Sequence, residues 1–109
     1  MRLKKARQLI KALSDDTRLR IVNLLNKKSL SVSELCQTLG KGQPNISKHL
    51  MRLRLTELVK DKRDGNTVYY QLNKPLNAPH KHILNAITRG FKTVDIFKKD
   101  IEKIKKIKR

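Results

Sequence analysis

The side chains in this sequence best suited to bond-making or metal chemistry are one cysteine, Cys36, and three histidines, His49, His80 and His82. Zinc and similar borderline metals need three or four N, O or S ligands. Cys36, His80 and His82 do not fall at the spacing of a recognisable ligand set, so no metal is expected. A single thiol cannot close a disulfide within its own chain, which excludes an internal thiol-pair switch. Cys36 shares an apolar stripe with Leu35 and Leu39, which reads as a small buried hydrophobe rather than a reactive thiolate. The acids and histidines form no nucleophile–base pair at a known spacing, so an enzyme is not expected. Only four glycines occur, none at the spacing of a phosphate-cradling loop, and no cofactor is implied.

What the chain does carry is chemistry for a polyanion. Over 109 residues it has 27 Lys+Arg against 9 Asp+Glu, a formal net charge of +18. Such an excess opposes compactness through self-repulsion and suits nucleic acid first and an anionic surface second. Aromatics make up 4% with no Trp, which argues against single-strand binding on stacked bases. Hydrophobic residues at 38% suffice for a modest core. The N-terminal Met-Arg-Leu-Lys-Lys has no apolar run after it, and no stretch is long enough to cross a bilayer. The expectation is one domain over residues 1–109, acting in the cytoplasm, with residues 95–109 as a basic helical extension or tail.

The elements that must position this chemistry are mostly helical. Leu3, Ala6, Ile10 and Leu13 recur at helical spacing between basic residues. Ser14-Asp15-Asp16-Thr17 breaks that pattern with capping residues, and a second helix follows from Asp16 to Asn26. Ser31-Val32-Ser33-Glu34 has the form of a capping box opening a third helix, which Gly40 ends. After a tight Lys41-Gly42-Gln43 segment, Pro44 suits the first turn of a fourth helix, which buries Ile46, Leu50 and Leu53. Two helices joined by a short Gly-containing turn form a helix-turn-helix pattern, although spacing alone fits any small helical hairpin equally well. Residues 59–63 and 67–72 then alternate as strands around Asp64-Gly65-Asn66, whose chemistry tolerates positive φ. Tyr69 and Tyr70 read as sheet and core residues. From Pro79 a long helix is expected, with Leu84, Ile87, Phe91, Val94, Phe97, Ile101, Ile104 and Ile107 on one stripe. So thin a domain would leave that stripe for a second copy, with Gly90 bending or interrupting the helix.

Four ordered segments resemble the ArsR/SmtB family of winged-helix repressors, over roughly residues 3–90. They are Ala12 to Ile21 (A-L-S-D-D-T-R-L-R-I), Leu30 to Leu35 (L-S-V-S-E-L), Gln43 to Leu50 (Q-P-N-I-S-K-H-L) and Asp64 to Leu72 (D-G-N-T-V-Y-Y-Q-L). The resemblance implies a mainly α fold with a small β-hairpin: a winged helix-turn-helix of about five helices and a two-stranded wing. It also implies a homodimer joined through the first and last helices, binding double-stranded DNA as a repressor. Three departures stand out. Asp16 replaces a frequent Pro. Leu55-Thr56-Glu57-Leu58-Val59 stands where the family often has E-A-G-L-V, which puts Glu57 at a position suited to Gly and leaves Leu55 exposed. The third concerns sensing: Cys36 lacks the second cysteine of a Cys-x-Cys pair, and Ala78, Phe91 and Val94 stand where last-helix metal sites carry ligands.

The expected DNA-contacting residues are Gln43, Pro44, Asn45, Ser47, Lys48, His49 and Arg52 on the fourth helix and Lys62, Arg63 and Asn66 at the wing tip. Gln43, Ser47 and Lys48 open the helix that docks in a major groove and have the donors and acceptors to read base edges. Asn45 and His49 suit phosphates or flanks, His49 fitting a half-buried surface position as well. The basic wing tip suits a minor groove or phosphates. Arg18 and Arg20 fit salt bridges at least as well as DNA, and His80 and His82 read as surface residues. The expected dimer contacts are Leu3, Ile10, Leu84, Ile87, Phe91 and Val94. The expectation is a homodimeric repressor on an inverted repeat, its inducer unnamed. Rival readings are a nonspecific architectural binder, a metal-responsive member of the family, and a protein-interaction module.

Overall fold

The helices and strands follow the caps and breaks in the sequence. In a computed structural model, which describes residues 1–107, they are α1 (Leu3–Leu13), α2 (Asp16–Lys27), β1 (Leu30–Ser31), α3 (Val32–Leu39), α4 (Gln43–Leu55), β2 (Val59–Asp64), β3 (Thr67–Leu72), α5 (Ala78–Thr88) and α6 (Asp95–Ile104). The expected tail's last two residues, Lys108 and Arg109, lie outside the described residues. Asp15 caps α2, its Oδ1 accepting from the Arg18 backbone N–H at 3.0 Å. The capping box of α3 is complete: Ser31 Oγ accepts from the Glu34 N–H, and Glu34 Oε1 accepts from the Ser31 N–H. Gly40 ends α3 in the left-handed region at φ 65°.

The sheet is antiparallel, in the order β1–β3–β2. The hairpin pairs Val59 with Leu72 through to Asp64 with Thr67, around Gly65 at φ 63°. A third strand adds Leu30 opposite Tyr70 and Ser31 opposite Tyr69. Two residues carry no alternation of their own, so this strand has no sequence signal. It fastens the wing to the start of α3. The core gathers Ile21, Val22 and Leu24 of α2, Leu35 of α3, and Ile46, Leu50 and Leu53 of α4.

The end of α4 departs from common chemistry at a defined cost. Glu57 takes φ 62°. The Leu58 N–H donates to Leu53 O and the Glu57 N–H to Arg54 O, both at 3.0 Å, a Schellman closure that demands this left-handed residue. Leu53 and Leu58, both fully buried, supply the apolar contact that accompanies such a closure. A side chain there costs about 1 kcal/mol.

The last third of the chain corrects the expectation of one long helix. The helix breaks between Thr88 and Asp95. A Cβ at Gly90 would collide with the Ala86 carbonyl oxygen, so the chain leaves α5 by a path that only glycine accepts. The break lets α6 fold back onto α2 and α3. Leu84 and Ile87 of α5, expected to face a second copy, lie on the helix that packs against α2 and are each only 6% exposed within their own chain. Phe97 and Ile104 join the same core. Each large apolar side chain so buried contributes roughly 1.5–3 kcal/mol. Asp100 is fully buried, and both its oxygens accept from Arg20, from Nε and Nη2 at 2.9 Å each. Asn23 Nδ2 donates to the Phe97 carbonyl at 3.3 Å. Residues 95–104 are therefore a packed element rather than a solvated tail.

Two stability changes are expected. Arg20→Met should lower unfolding free energy by about 3–5 kcal/mol in urea titration, because it strands a buried carboxylate. Recovery of much of that loss in the double variant Arg20→Met/Asp100→Leu would locate the cost in the unpaired charge. Glu57→Gly should stabilise by up to about 1 kcal/mol. The Lys5–Glu57 ion pair it removes is 3.5 Å long and half-exposed, so it offsets little.

Candidate nucleic-acid interface

The turn between α3 and α4 fixes which side of α4 meets solvent. At about 100° per residue, burial of Ile46, Leu50 and Leu53 turns the opposite arc outward. That arc carries Pro44, Asn45, Ser47, Lys48, Met51 and Arg52, all exposed; Gln43 lies at the edge of the buried face by helical rotation and is exposed as the first residue of the helix. Pro44 lies in the first turn, and no side chain caps the helix start. The first two turns thus present amide, hydroxyl and ammonium groups free of tertiary packing, a set able to donate to and accept from base edges.

The wing supplies a second charged surface. Lys62, Arg63 and Asn66 are exposed around the Gly65 turn. Arg54, in the last turn of α4, lies 3.4 Å from Asp61 on β2 and ties helix to wing. The pair is largely solvated, so it orients more than it stabilises. Lys62 and Arg63 also border a cleft of about 510 Å³ with Ser29, Asp64, Tyr69 and Gln71.

His49 falls at the boundary between the buried and exposed arcs and is half-buried. Its Nδ1 is 3.0 Å from Arg18 Nη1. A guanidinium only donates, so Nδ1 is the acceptor and the neutral ring carries its proton on Nε2. Burial pushes the His49 pKa down; Asp15 opposes that, and Arg18, Lys41 and Lys48 reinforce it. The 3.8 Å approach of Asp15 Oδ1 is therefore not an ion pair at neutral pH. Burial raises the Asp15 carboxyl, but the Arg18 N–H bond and the Arg18 and His49 charges together bring it below the usual range. Arg18 Nε also donates to the Ala12 carbonyl, so this arginine links α1, α2 and α4. The ring of His49 is committed to packing on one side, unlike Lys48 beside it. Its partner lies 31 positions away, which no local spacing reveals.

The remaining candidates separate. Cys36 is half-buried. His82 is exposed, whereas His80, expected at the surface, is 1% exposed. It turns inward because α5 begins at Ala78 under the Asn77 cap, whose Oδ1 accepts the His80 N–H at 3.0 Å. Burial pushes its pKa down, and the Glu57 charge opposes that. Among the described residues no three His, Cys, Asp or Glu side chains gather as a metal site.

Comparison with known proteins identifies the arrangement. Residues 15–61 match bacterial regulatory proteins of the arsR family. The chain is 44% identical over 83 residues to the arsenical resistance operon repressor of Escherichia coli K12, covering 75% of this chain and 71% of that protein. It is 38% identical over 65 residues to the HTH-type transcriptional regulator KmtR of Mycobacterium tuberculosis, covering 60% of this chain and 50% of that one. The matched region thus spans half of that regulator's length. Reduced HlyU from Vibrio cholerae N16961 superimposes with a TM-score of 0.69 at 33% identity, covering 81% of this chain and 90% of that structure. The capped helix-turn-helix, the hairpin wing and these identities agree, and the chain belongs to the arsR family of bacterial regulatory proteins.

Proposed function

We propose that this chain is a transcriptional repressor that binds an inverted repeat in duplex DNA as a homodimer. The observation that carries this reading is the exposed polar arc at the start of α4, beside a basic wing. Gln43, Ser47 and Lys48 read base edges; Asn45, Arg52, Lys62, Arg63 and Asn66 hold phosphates and flanks. His49 acts from the edge of this surface, through its bond to Arg18. Repression is by occupancy: the bound dimer covers promoter DNA.

A second copy suits the apolar groups left outside the core. Leu3 and Ile10 are exposed on one side of α1, and Phe91 and Val94 on the α5–α6 connection. Phe91 and Val94 line a mainly apolar cleft of about 510 Å³ with Leu19 and Ile96. A two-fold dimer sets half-sites about one helical turn apart. The charge of +18 also favours a nonspecific architectural binder, which would hold all duplexes alike.

Selection from random duplex DNA at near-physiological salt should enrich an inverted repeat. A pool that stays random under tight binding would establish the architectural reading instead. Gln43→Ala or Ser47→Ala should relax preference at one or two base positions by about 1–3 kcal/mol in competition binding. Unchanged preference would remove α4 as the reading helix. Phe91→Asp should shift sedimentation from dimer to monomer, and an intact dimer would take the α5–α6 connection out of the interface.

A further inference from the structure

The outer side of α6 is a row of lysines. At about 100° per residue, burial of Phe97, Asp100 and Ile104 turns outward an arc with Lys98, Lys99 and Lys103 on the helix and Lys105 and Lys106 at its end, all exposed. The acids on that arc are Asp95, the first residue of the helix, and Glu102, whose Oε1 accepts from Lys105 Nζ at 2.9 Å. Lys99, Lys103 and Lys106 follow one another at steps of four and three. Like charges at that spacing weaken a helix, and a polyanion laid along them removes the repulsion.

The fold sets this row beside the helix-turn-helix. α6 packs on α2 and α3. Lys103 Nζ donates to the Thr38 carbonyl, in the last turn of α3, at 3.4 Å. Lys103, Lys106 and Ile107 border a cleft of about 420 Å³ with Glu34, Gln37 and Thr38 of α3. Lys28, just past the end of α2, joins them, its Nζ donating to the Ile107 carbonyl at 3.4 Å. In a docked helix-turn-helix the second helix enters the groove and the first crosses the backbone. Here α3 is the first helix, so cations held along it stand next to phosphates. Phe97 and Ile104 of α6 are buried in the core, so the helix lacks the free apolar face that lying in a bilayer surface requires.

We propose that the lysines of α6 form a second contact with duplex DNA, on backbone phosphates outside the half-site that α4 reads. Lys99, Lys103 and Lys106 make the contact, and Lys28 adds a charge at the end of the row. At a rise of about 1.5 Å per residue, Lys99 and Lys106 stand about 10 Å apart along the helix, which is about three base-pair steps of ~3.4 Å. The row thus meets successive phosphates of one strand. An ammonium on a flexible stem binds phosphate as a point charge and carries no base preference. The surface adds affinity and lengthens the site without adding sequence. Its place on the duplex rests on the repressor reading above; its affinity for a phosphate backbone does not.

The test is binding of the full chain to two duplexes across a salt series. Both carry the inverted repeat obtained by selection; one stops at its ends, and the other adds about ten base pairs of arbitrary sequence on each side. The long duplex should bind at least about tenfold more tightly, with a log–log salt slope steeper by about −0.9 for each phosphate met. The triple variant Lys99→Gln/Lys103→Gln/Lys106→Gln should lose that gain and keep the short-duplex affinity and the base preference. Lys99→Arg/Lys103→Arg/Lys106→Arg should keep the gain. Equal binding of both duplexes by the unchanged chain, or an equal loss on both in the Gln variant, would overturn the proposal. So would a Gln variant that lost binding to phosphatidylglycerol vesicles but kept the gain on the long duplex. If selection yields no inverted repeat, the repressor reading fails, and a random duplex of about 30 base pairs still tests the row. A shallower salt slope for the Gln variant there would support the backbone contact, and an unchanged slope would refute it.

Discussion

The paired burial of Arg20 and Asp100 is the interaction on which the last third of the fold depends. A chain with a net charge of +18 resists compaction, and α6 brings more lysines toward a core already surrounded by cations. One of its few acids is placed where it meets an arginine with both oxygens and no solvent. Such pairs contribute little net stability against an apolar alternative, but they are strongly destabilised when one partner is lost. Their value here is register. Only one rotation and translation of α6 on α2 joins both oxygens to Nε and Nη2, and that same placement buries Phe97 and Ile104.

α2 carries a second arginine two positions earlier, and the two divide the molecule between them. Arg18 reaches Ala12 on α1 and His49 on α4; Arg20 reaches α6. The orientation of α4, with its exposed polar arc, is thus tied through α2 to both ends of the chain. The apolar contacts of Ile46, Leu50 and Leu53 hold α4 on the core, but contacts of that kind tolerate small rotations about the helix axis. The directional bond to His49 restricts those rotations and so fixes which residues face outward.

What could be read from the sequence followed the range of the physics involved. Caps, turns and periodicity act over three or four residues. Hence the Ser31–Glu34 box, the Gly40 and Gly65 turns, the α3–α4 pair and the wing strands were legible. So were the left-handed Glu57 and the exposed Leu55, because the segment departs from a familiar helix ending. The stripe from Leu84 to Ile107 was legible as apolar, but its partner was not. Periodicity reports that a face is buried and says nothing about whether the covering surface belongs to the same chain. The break at Gly90 decides that question, and it depends on the Ala86 carbonyl rather than on glycine content alone. Arg20–Asp100 and Arg18–His49 are separated by 80 and 31 positions, so neither leaves a local signature. For the exposed arc of α4, helix periodicity indicated which side chains face outward, while what they touch is a matter of a partner's chemistry.

Three departures from local preference meet at one junction. Glu57 holds a left-handed backbone where glycine would be free of strain. Leu55, an aliphatic side chain in the preceding turn, is 75% exposed. His80, which feels the Glu57 charge, keeps a buried donor unpaired. Each alone would be an ordinary imperfection of about 1 kcal/mol. Elsewhere Asp15, Ser31 and Asn77 cap α2, α3 and α5 and the buried carboxylate is fully paired, while α1, α4 and α6 start without a side-chain cap. Departures that persist together, in a domain whose total stability is only about 5–15 kcal/mol, mark a place where something besides folding has shaped the residues. Here that place is the end of α4, against the starts of α1 and α5.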